Sequence, residues 1–190
     1  MTMLELATKS RSYRRFDESA RVTEQTLREL IELARLAPTA GNAQPLRFRP
    51  VMEPEMCARV FATLGWAAAL PDWPGPAQGE RPAAYVVVLC DLDCGSGKRP
   101  DAAIAAQTML LGAVERGLGG CMLGSVRREE LLAALGLDPA RYAVELVVAL
   151  GRPVEDVRLT GLPADGSTRY WRDAQGVHYV PKRSLDDLIV

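Results

Sequence analysis

Apolar residues recur at helical spacing in the first third of the chain. The clearest set is Leu27, Leu30, Ile31 and Ala34, spaced i, i+3, i+4 and i+7. This set predicts a helix that is capped by Thr23 and stopped by Pro38. Upstream, Thr2 and Glu5 resemble a capping box and predict a short helix that ends before Arg11. A third helix is predicted to begin near residue 54 and to carry Met56, Val60 and Leu64.

Runs of consecutive apolar residues further along predict strands that are buried on both faces. The two long runs are AYVVVLC at residues 84–90 and the segment 143–150 (AVELVVAL), which is apolar except for Glu145. Between them, residues 101–116 are apolar nearly all round and predict a central helix that Gly117 ends. A short strand at 120–124 and a helix at 128–135, ended by Gly136, follow. Residues 71–82 are crowded with Pro and Gly and predict a loop. This order implies a mixed sheet covered by helices on both faces.

Length, composition and charge indicate which classes of protein this chain can belong to. A chain of 190 residues, 48% of them hydrophobic, is expected to form a single domain spanning 1–190. Its segment from about 152 to 190 is too polar for a core of its own, so we expect it to wrap onto the domain or a partner subunit. A formal charge of −1 argues against nucleic acid as the main partner. No apolar stretch is long enough to cross a membrane, and the basic residues near the N-terminus follow the apolar ones, the reverse of a secretory signal. A cytoplasmic protein is therefore expected.

The four cysteines and the single histidine predict neither a metal site nor a catalytic triad. The cysteines contain no C-x-x-C pair, and Cys90 and Cys94 lack a histidine at zinc-site spacing, so free thiols are expected. His178 is the only imidazole and no nucleophile motif accompanies it. We therefore expect no acid, base or nucleophile of the protein at the reacting centre.

Two clusters of polar residues could bind a ligand. Residues 11–15 (RSYRR) place guanidinium groups beside a hydroxyl, which suits a phosphate; the alternative is a solvated basic turn. Residues 37–45 (APTAGNAQP) present the amides of Asn42 and Gln44 within three positions. An amide both donates and accepts hydrogen bonds, which matches the pyrimidine edge of a flavin. The alternative for this second cluster is a helix C-cap loop that uses Asn for its turn geometry.

A glycine-rich stretch and a basic pair complete the candidate sites. Residues 117–125 (GLGGCMLGS) are not the G-x-G-x-x-G of dinucleotide-binding proteins. The small residues Gly124 and Ser125 would let backbone N–H groups approach a flat ligand, whereas a helix stop and a tight strand entry account for residues 117–120. Near the C-terminus, Lys182 and Arg183 are either a surface pair or the closing part of a dianion site.

Taken together, these segments resemble the FMN-dependent nitroreductase family. The matching stretches, in the family's order, are RSYRRF (11–16), APTAGNAQP (37–45), GERPAAYVVVLCD (79–91), AAIAAQTMLLGAVERGLGGCMLGS (102–125), ALGRP (149–153) and HYVPKR (178–183). The resemblance implies an α+β fold, a three-layer α/β/α sandwich around a central mixed, mostly antiparallel sheet. It also implies an intertwined homodimer with two FMN sites at the interface.

The resemblance assigns cofactor-binding roles to residues of each cluster. The phosphate of FMN would be held by Arg11, Ser12, Arg14, Lys182 and Arg183. The ribityl chain and pyrimidine ring would be contacted by Pro38, Thr39, Ala40, Asn42 and Gln44. Backbone groups at Leu123, Gly124 and Ser125 would face the N5 and O4 side of the ring. No catalytic residue is expected, because FMN carries the chemistry.

The implied activity is an NAD(P)H-dependent oxidoreductase. NAD(P)H would pass hydride to flavin N5 and be replaced by a nitroaromatic, quinone or related small-molecule acceptor, in ping-pong order. Alternatives are a flavin-binding storage or sensing protein without turnover, and another flavin chemistry on the same fold, such as a flavin reductase, dehalogenase or azoline oxidase. An anion-binding module without flavin is a further alternative. Trp66 and Trp73 could line the substrate face or pack at a dimer interface.

Overall fold

The computed structural model describes residues 1–94 and 99–190. Its α-helices are α1 (Met3–Lys9), α2 (Glu24–Arg35), α3 (Pro54–Ala62), α4 (Arg99–Glu115) and α5 (Arg128–Leu135). Its strands are β1 (Phe16–Asp17), β2 (Leu46–Val51), β3 (Ala84–Asp91), β4 (Gly119–Leu123), β5 (Tyr142–Pro153), β6 (Val157–Gly161), β7 (Trp171–Arg172) and β8 (His178–Lys182). Each predicted helix and strand is present, with ends that differ by a few residues.

A five-stranded sheet forms the middle of the fold. Its order is β1-β5-β3-β2, and β4 pairs with β5 on the same side as β1. All these pairings are antiparallel. In a separate small sheet, β6 pairs with β8 in parallel. The predicted α+β class with a mostly antiparallel sheet is confirmed.

Helices cover both faces of the sheet because side chains of a strand point alternately to its two sides. On one face, Val86 and Val88 of β3 pack with α2 and α4, which contributes Met109. On the other, Val87 of β3 packs with α3 and with Leu131 of α5. The two apolar clusters explain why β3 is an uninterrupted apolar run, and they confirm the three-layer arrangement.

Two local predictions need correction, and one strand has no predicted bounds. Pro38 does not stop α2, which already ends at Arg35 with Leu36 as its C-cap. Leu64 lies beyond the end of α3, where it forms an isolated bridge with Val126. Sequence reasoning assigned no residues to β2, whose exposed arginines and Pro50 mask its alternating pattern.

The C-terminal segment forms a small sheet in the order β6-β8-β7. Although polar in composition, it buries His178 and the side chain of Glu155. It also contacts the loop between α3 and β3, where Arg169 donates two hydrogen bonds to the carbonyl of Ala69, at 2.9 and 3.1 Å. The segment therefore packs on the N-terminal part of its own chain.

Candidate functional site

Residues 11–15, the arginine segment, connect α1 to β1 and lie beside the start of β4. Ser12 forms a parallel bridge with Gly120, and the N–H of Tyr13 donates to the carbonyl of Gly120 at 3.0 Å. This approach requires glycine in β4, since a Cβ at Gly119 would lie 2.5 Å from the ring of Tyr13. The glycine-rich stretch thus places the arginine segment against the open edge of the sheet.

The guanidinium groups of Arg11 and Arg14 have few partners. Arg11 donates to the carbonyl of Ala7 at 2.6 Å, and Arg14 donates to the carbonyl of Ser12 at 3.2 Å. The Nε atom of each is buried without a hydrogen-bond partner, and among the described residues neither side chain has a carboxylate in ion-pair contact. Burial lowers the pKa of Arg11. An anion bound here would therefore satisfy donors that the chain itself leaves unpaired.

Residues 123–125, the glycine turn, lie at the other end of β4. Leu123 is buried in the core, whereas Gly124 and Ser125 are exposed. The carbonyl of Ser125 accepts a hydrogen bond from the N–H of Gly65 at 2.8 Å, so the turn is fixed beside Trp66. A Cβ added at Gly124 would meet no atom within 4 Å. Because Gly120 and Gly124 are four residues apart in a strand, the arginine segment and the glycine turn are separated by about 13 Å.

Residues 37–45, the amide loop, lie beyond the opposite edge of the sheet. The loop connects α2 to β2 and lines a groove of about 800 Å³ between these two elements. Gly41, Asn42 and Gln44 all have positive φ, at 59°, 53° and 49°, a region that residues other than glycine rarely adopt. Thr39 supports this path, since its hydroxyl accepts from the N–H of Gln44 at 3.1 Å. Such strained backbone is typical of binding loops.

Within one chain the candidate clusters do not all meet. β4 and β2 are separated by β5 and β3, which places the amide loop at least about 14 Å from the arginine segment. The C-terminal pair is also apart: β8 starts at His178, near the arginine segment, and carries Lys182 about 13 Å further along. No described hydrogen bond or ion pair joins Lys182 or Arg183 to residues 11–15, and both are exposed. The arginine segment and the glycine turn thus lie at the two ends of one strand, β4. The amide loop and the C-terminal pair belong to other elements.

Sequence reasoning missed several polar residues that organise these segments. Asp101, at the start of α4, is 3% exposed and accepts from the N–H of Ala40 at 3.0 Å. Glu155 accepts from the backbone N–H groups of Arg14 and Arg15. The contacts by which these carboxylates hold the amide loop and the arginine segment span 61 or more positions in the sequence, so no local motif records them. A charged residue next to an apolar run was the only available signal.

Trp66 and Trp73 lie near these segments. Trp66 packs on Phe61 with ring centroids 5.7 Å apart, and its indole Nε1 is buried without a partner. Trp73 lies under the guanidinium of Arg172, 4.3 Å from the ring centroid. Both belong to the loop between α3 and β3, on the side of the fold that carries the glycine turn and the C-terminal segment. In the described part of the chain, no helix has the length and apolar character needed to span a membrane.

Comparison with known proteins identifies relatives along most of the chain. A curated relative from Archaeoglobus fulgidus, named as a candidate NADH dehydrogenase/NAD(P)H nitroreductase, is 30% identical over 145 residues, which is 71% of this chain and 76% of the relative. A nitroreductase-like structure from Desulfovibrio desulfuricans, in complex with FMN, is 25% identical; the match covers 98% of this chain and 94% of the other, with a TM-score of 0.72. An FMN complex from Exiguobacterium sibiricum has the same TM-score at 17% identity, covering 87% and 95% of the two chains.

The family profile agrees with these individual matches. The profile described as "Nitroreductase family" matches residues 7–59 and 96–152. The matched ranges include the arginine segment, the amide loop and the glycine turn. This chain therefore belongs to the nitroreductase family.

Proposed function

We propose that this protein is a homodimeric FMN-dependent oxidoreductase that takes hydride from NAD(P)H and reduces a small-molecule acceptor such as a nitroaromatic or a quinone. The observation that carries the proposal is a pair of guanidinium groups at one end of β4, those of Arg11 and Arg14, with an open glycine turn at its other end. Neither guanidinium pairs with a carboxylate of the described residues. Such an arrangement suits an elongated ligand with a phosphate at one end and a flat ring at the other. Family membership and the FMN complex of the Desulfovibrio relative support FMN as that ligand.

The residues present fit the separate parts of FMN. The unpaired Nε atoms of Arg11 and Arg14 can donate to phosphate oxygens. The exposed amides of Asn42 and Gln44 can donate and accept at the pyrimidine edge. The open space at Gly124 lets the backbone approach the ring closely. Lys182 and Arg183 would add positive charge if the exposed C-terminus turned toward the phosphate.

The separation of the clusters supports a site shared between two copies. The amide loop lies beyond the β2 edge, and the arginine segment lies at the β4 edge of the same sheet. One FMN could therefore be held by the arginine segment and glycine turn of one subunit and by the amide loop of the other. Two such sites would form in a symmetric dimer, because each subunit would supply both halves.

In this proposal the chain binds, orients and shields the cofactor and has no acid or base of its own in the reaction. Bound FMN would supply the hydride-accepting and hydride-donating chemistry. The glycine turn would present backbone N–H groups to the ring, and such fixed donors stabilise negative charge. Trp66 and Trp73, on the side of the glycine turn, could exclude water from the ring face. The name of the Archaeoglobus relative supports NAD(P)H as the electron donor.

An absorption spectrum of the purified protein tests the proposal directly. We expect flavin bands that bleach on anaerobic addition of NADPH or NADH and return when an acceptor is added. Bands that persist with both donors would indicate a storage or sensing protein instead. A colourless protein that takes up no added FMN would contradict the proposal. Sedimentation should show a dimer, and flavin absorbance should show one FMN per subunit.

A further inference from the structure

Glu155 is a buried carboxylate in contact with the backbone of the arginine segment. It follows β5 by two residues, and its side chain is fully buried. Its Oε1 accepts hydrogen bonds from the backbone N–H of Arg14 and from that of Arg15, the latter at 3.2 Å. Two successive N–H groups on one carboxylate oxygen fix the backbone conformation of these residues. The contact joins parts of the chain that are 141 and 140 positions apart.

The other oxygen of Glu155 faces the C-terminal segment. Its Oε2 accepts from the guanidinium of Arg172 at 2.9 Å and lies 3.9 Å from Nδ1 of His178. Burial raises the pKa of Glu155, but His178, the N–H of Arg14 and the charge of Arg172 outweigh it, so the pKa lies below its ordinary value. The carboxylate is therefore ionised at neutral pH and compensated by neighbours from two different parts of the chain.

The same cluster also supports the guanidinium of Arg14. This group lies over the ring of Tyr170, 5.1 Å from the ring centroid. Tyr170 in turn packs on His178 with centroids 5.1 Å apart. The backbone of Arg14 is thus held by Glu155, while its side chain rests on a neighbour of the same cluster. Both contacts orient the residue without occupying its Nε donor.

We propose that Glu155 is a positioning residue for the phosphate of FMN: it holds the arginine segment in the shape that binds the phosphate and does not touch the cofactor itself. This inference rests on the proposed function, since it requires that the arginine segment binds a phosphate. Its consequence is specific. Loss of Glu155 should weaken the recognition of the phosphate and leave the recognition of the flavin ring intact.

The ratio of affinities for FMN and riboflavin separates this role from a general loss of structure, because riboflavin lacks the phosphate. Apoprotein of the wild type and of Glu155→Gln is titrated with both flavins by fluorescence quenching. We expect Glu155→Gln to bind FMN about ten-fold more weakly while its riboflavin affinity stays within about two-fold of the wild type. Asp156→Asn is the matched control, since Asp156 is an adjacent exposed carboxylate whose side chain pairs only with Arg158 among the described residues.

The outcomes distinguish the two proposals. An unchanged ratio in Glu155→Gln, or an equal loss of both flavins, would overturn the positioning role while leaving FMN binding in place. A wild type that binds neither flavin would overturn the proposed function and this inference with it. If Glu155→Gln does not fold, Glu155→Asp provides the test, because it keeps the charge but is one methylene shorter. We expect its preference for FMN over riboflavin to be weaker than that of the wild type but not abolished. A wild-type ratio in Glu155→Asp would then overturn the role.

Discussion

The carboxylate of Asp101 accepts a hydrogen bond from the backbone N–H of Ala40 at 3.0 Å, which attaches the amide loop to the first turn of α4. The attachment matters because the loop contains three residues with positive φ, two of which are not glycine. Such backbone is strained and persists only where neighbouring contacts hold it. Asp101 is almost fully buried, and the hydrogen bond that it accepts from Ala40 is partly buried.

Replacing Asp101 with Ala should therefore destabilise the amide loop. It leaves the N–H of Ala40 without an acceptor, and we expect a loss of about 1–3 kcal/mol in the free energy of unfolding. Hydrogen exchange of the Ala40 amide should accelerate, and FMN affinity should fall. Asp186→Ala, at an exposed carboxylate, is the control and should change none of these three quantities. Unchanged exchange at Ala40 would show that the loop keeps its shape without Asp101.

The phosphate role of the arginine segment predicts the behaviour of two single variants. Arg11→Ala and Arg14→Ala should each weaken FMN retention, because one charge-assisted contact contributes roughly 1.5–3 kcal/mol. Dialysis followed by flavin absorbance measures retention. Arg59→Ala removes an exposed guanidinium on α3 and serves as the control. Retention equal to the wild type in both variants would contradict the assignment.

Two glycines of one stretch should respond differently to the same substitution. A Cβ at Gly120 would lie 2.3 Å from the carbonyl oxygen of Ala149, so Gly120→Ala should lower stability by about 1–3 kcal/mol. A Cβ at Gly124 meets nothing within 4 Å, and Gly124→Ala should keep wild-type stability but weaken flavin binding. Thermal unfolding and FMN titration separate the two effects. A flavin affinity unaffected by Gly124→Ala would argue against close approach of the ring there.

Features that leave a local pattern could be predicted from the sequence, whereas contacts between distant residues could not. Periodicity and apolar runs identified α2, β3 and β5, because burial on one or both faces leaves a local pattern. A helix stop and a tight strand entry account for residues 117–120, since Gly117 has a positive φ of 72° and Gly119 and Gly120 admit close neighbours. The roles of Asp101 and Glu155 depend on contacts between distant parts of the chain, and no local pattern records such contacts.

The thiols should have no part in hydride transfer, and their reactivity should follow their burial. Burial raises the pKa of Cys57 to about 11 and also raises the pKa of Cys121, so few thiolates of these residues exist near neutral pH. Cys94 is exposed. We expect a thiol reagent to react first with Cys94, and Cys94→Ser to remove this fast phase while Cys57→Ser keeps it.

A variant with all four cysteines replaced should retain NAD(P)H-dependent flavin reduction; loss of reduction in a folded, flavin-loaded variant would reveal a redox role.

The lowered pKa of Glu155 links stability to pH in a definite direction. A carboxylate whose pKa is lower in the folded than in the unfolded protein stabilises the fold at pH values above its ordinary pKa of 4.5, and this contribution disappears as the pH falls through the folded-state pKa. The difference in unfolding free energy between the wild type and Glu155→Gln should therefore be largest near neutral pH and should shrink on acidification. Urea unfolding at a series of pH values measures it. A difference that is constant with pH would mean that Glu155 acts through its shape and hydrogen bonds and that its charge contributes nothing, because an uncharged glutamine would then differ from it equally at every pH.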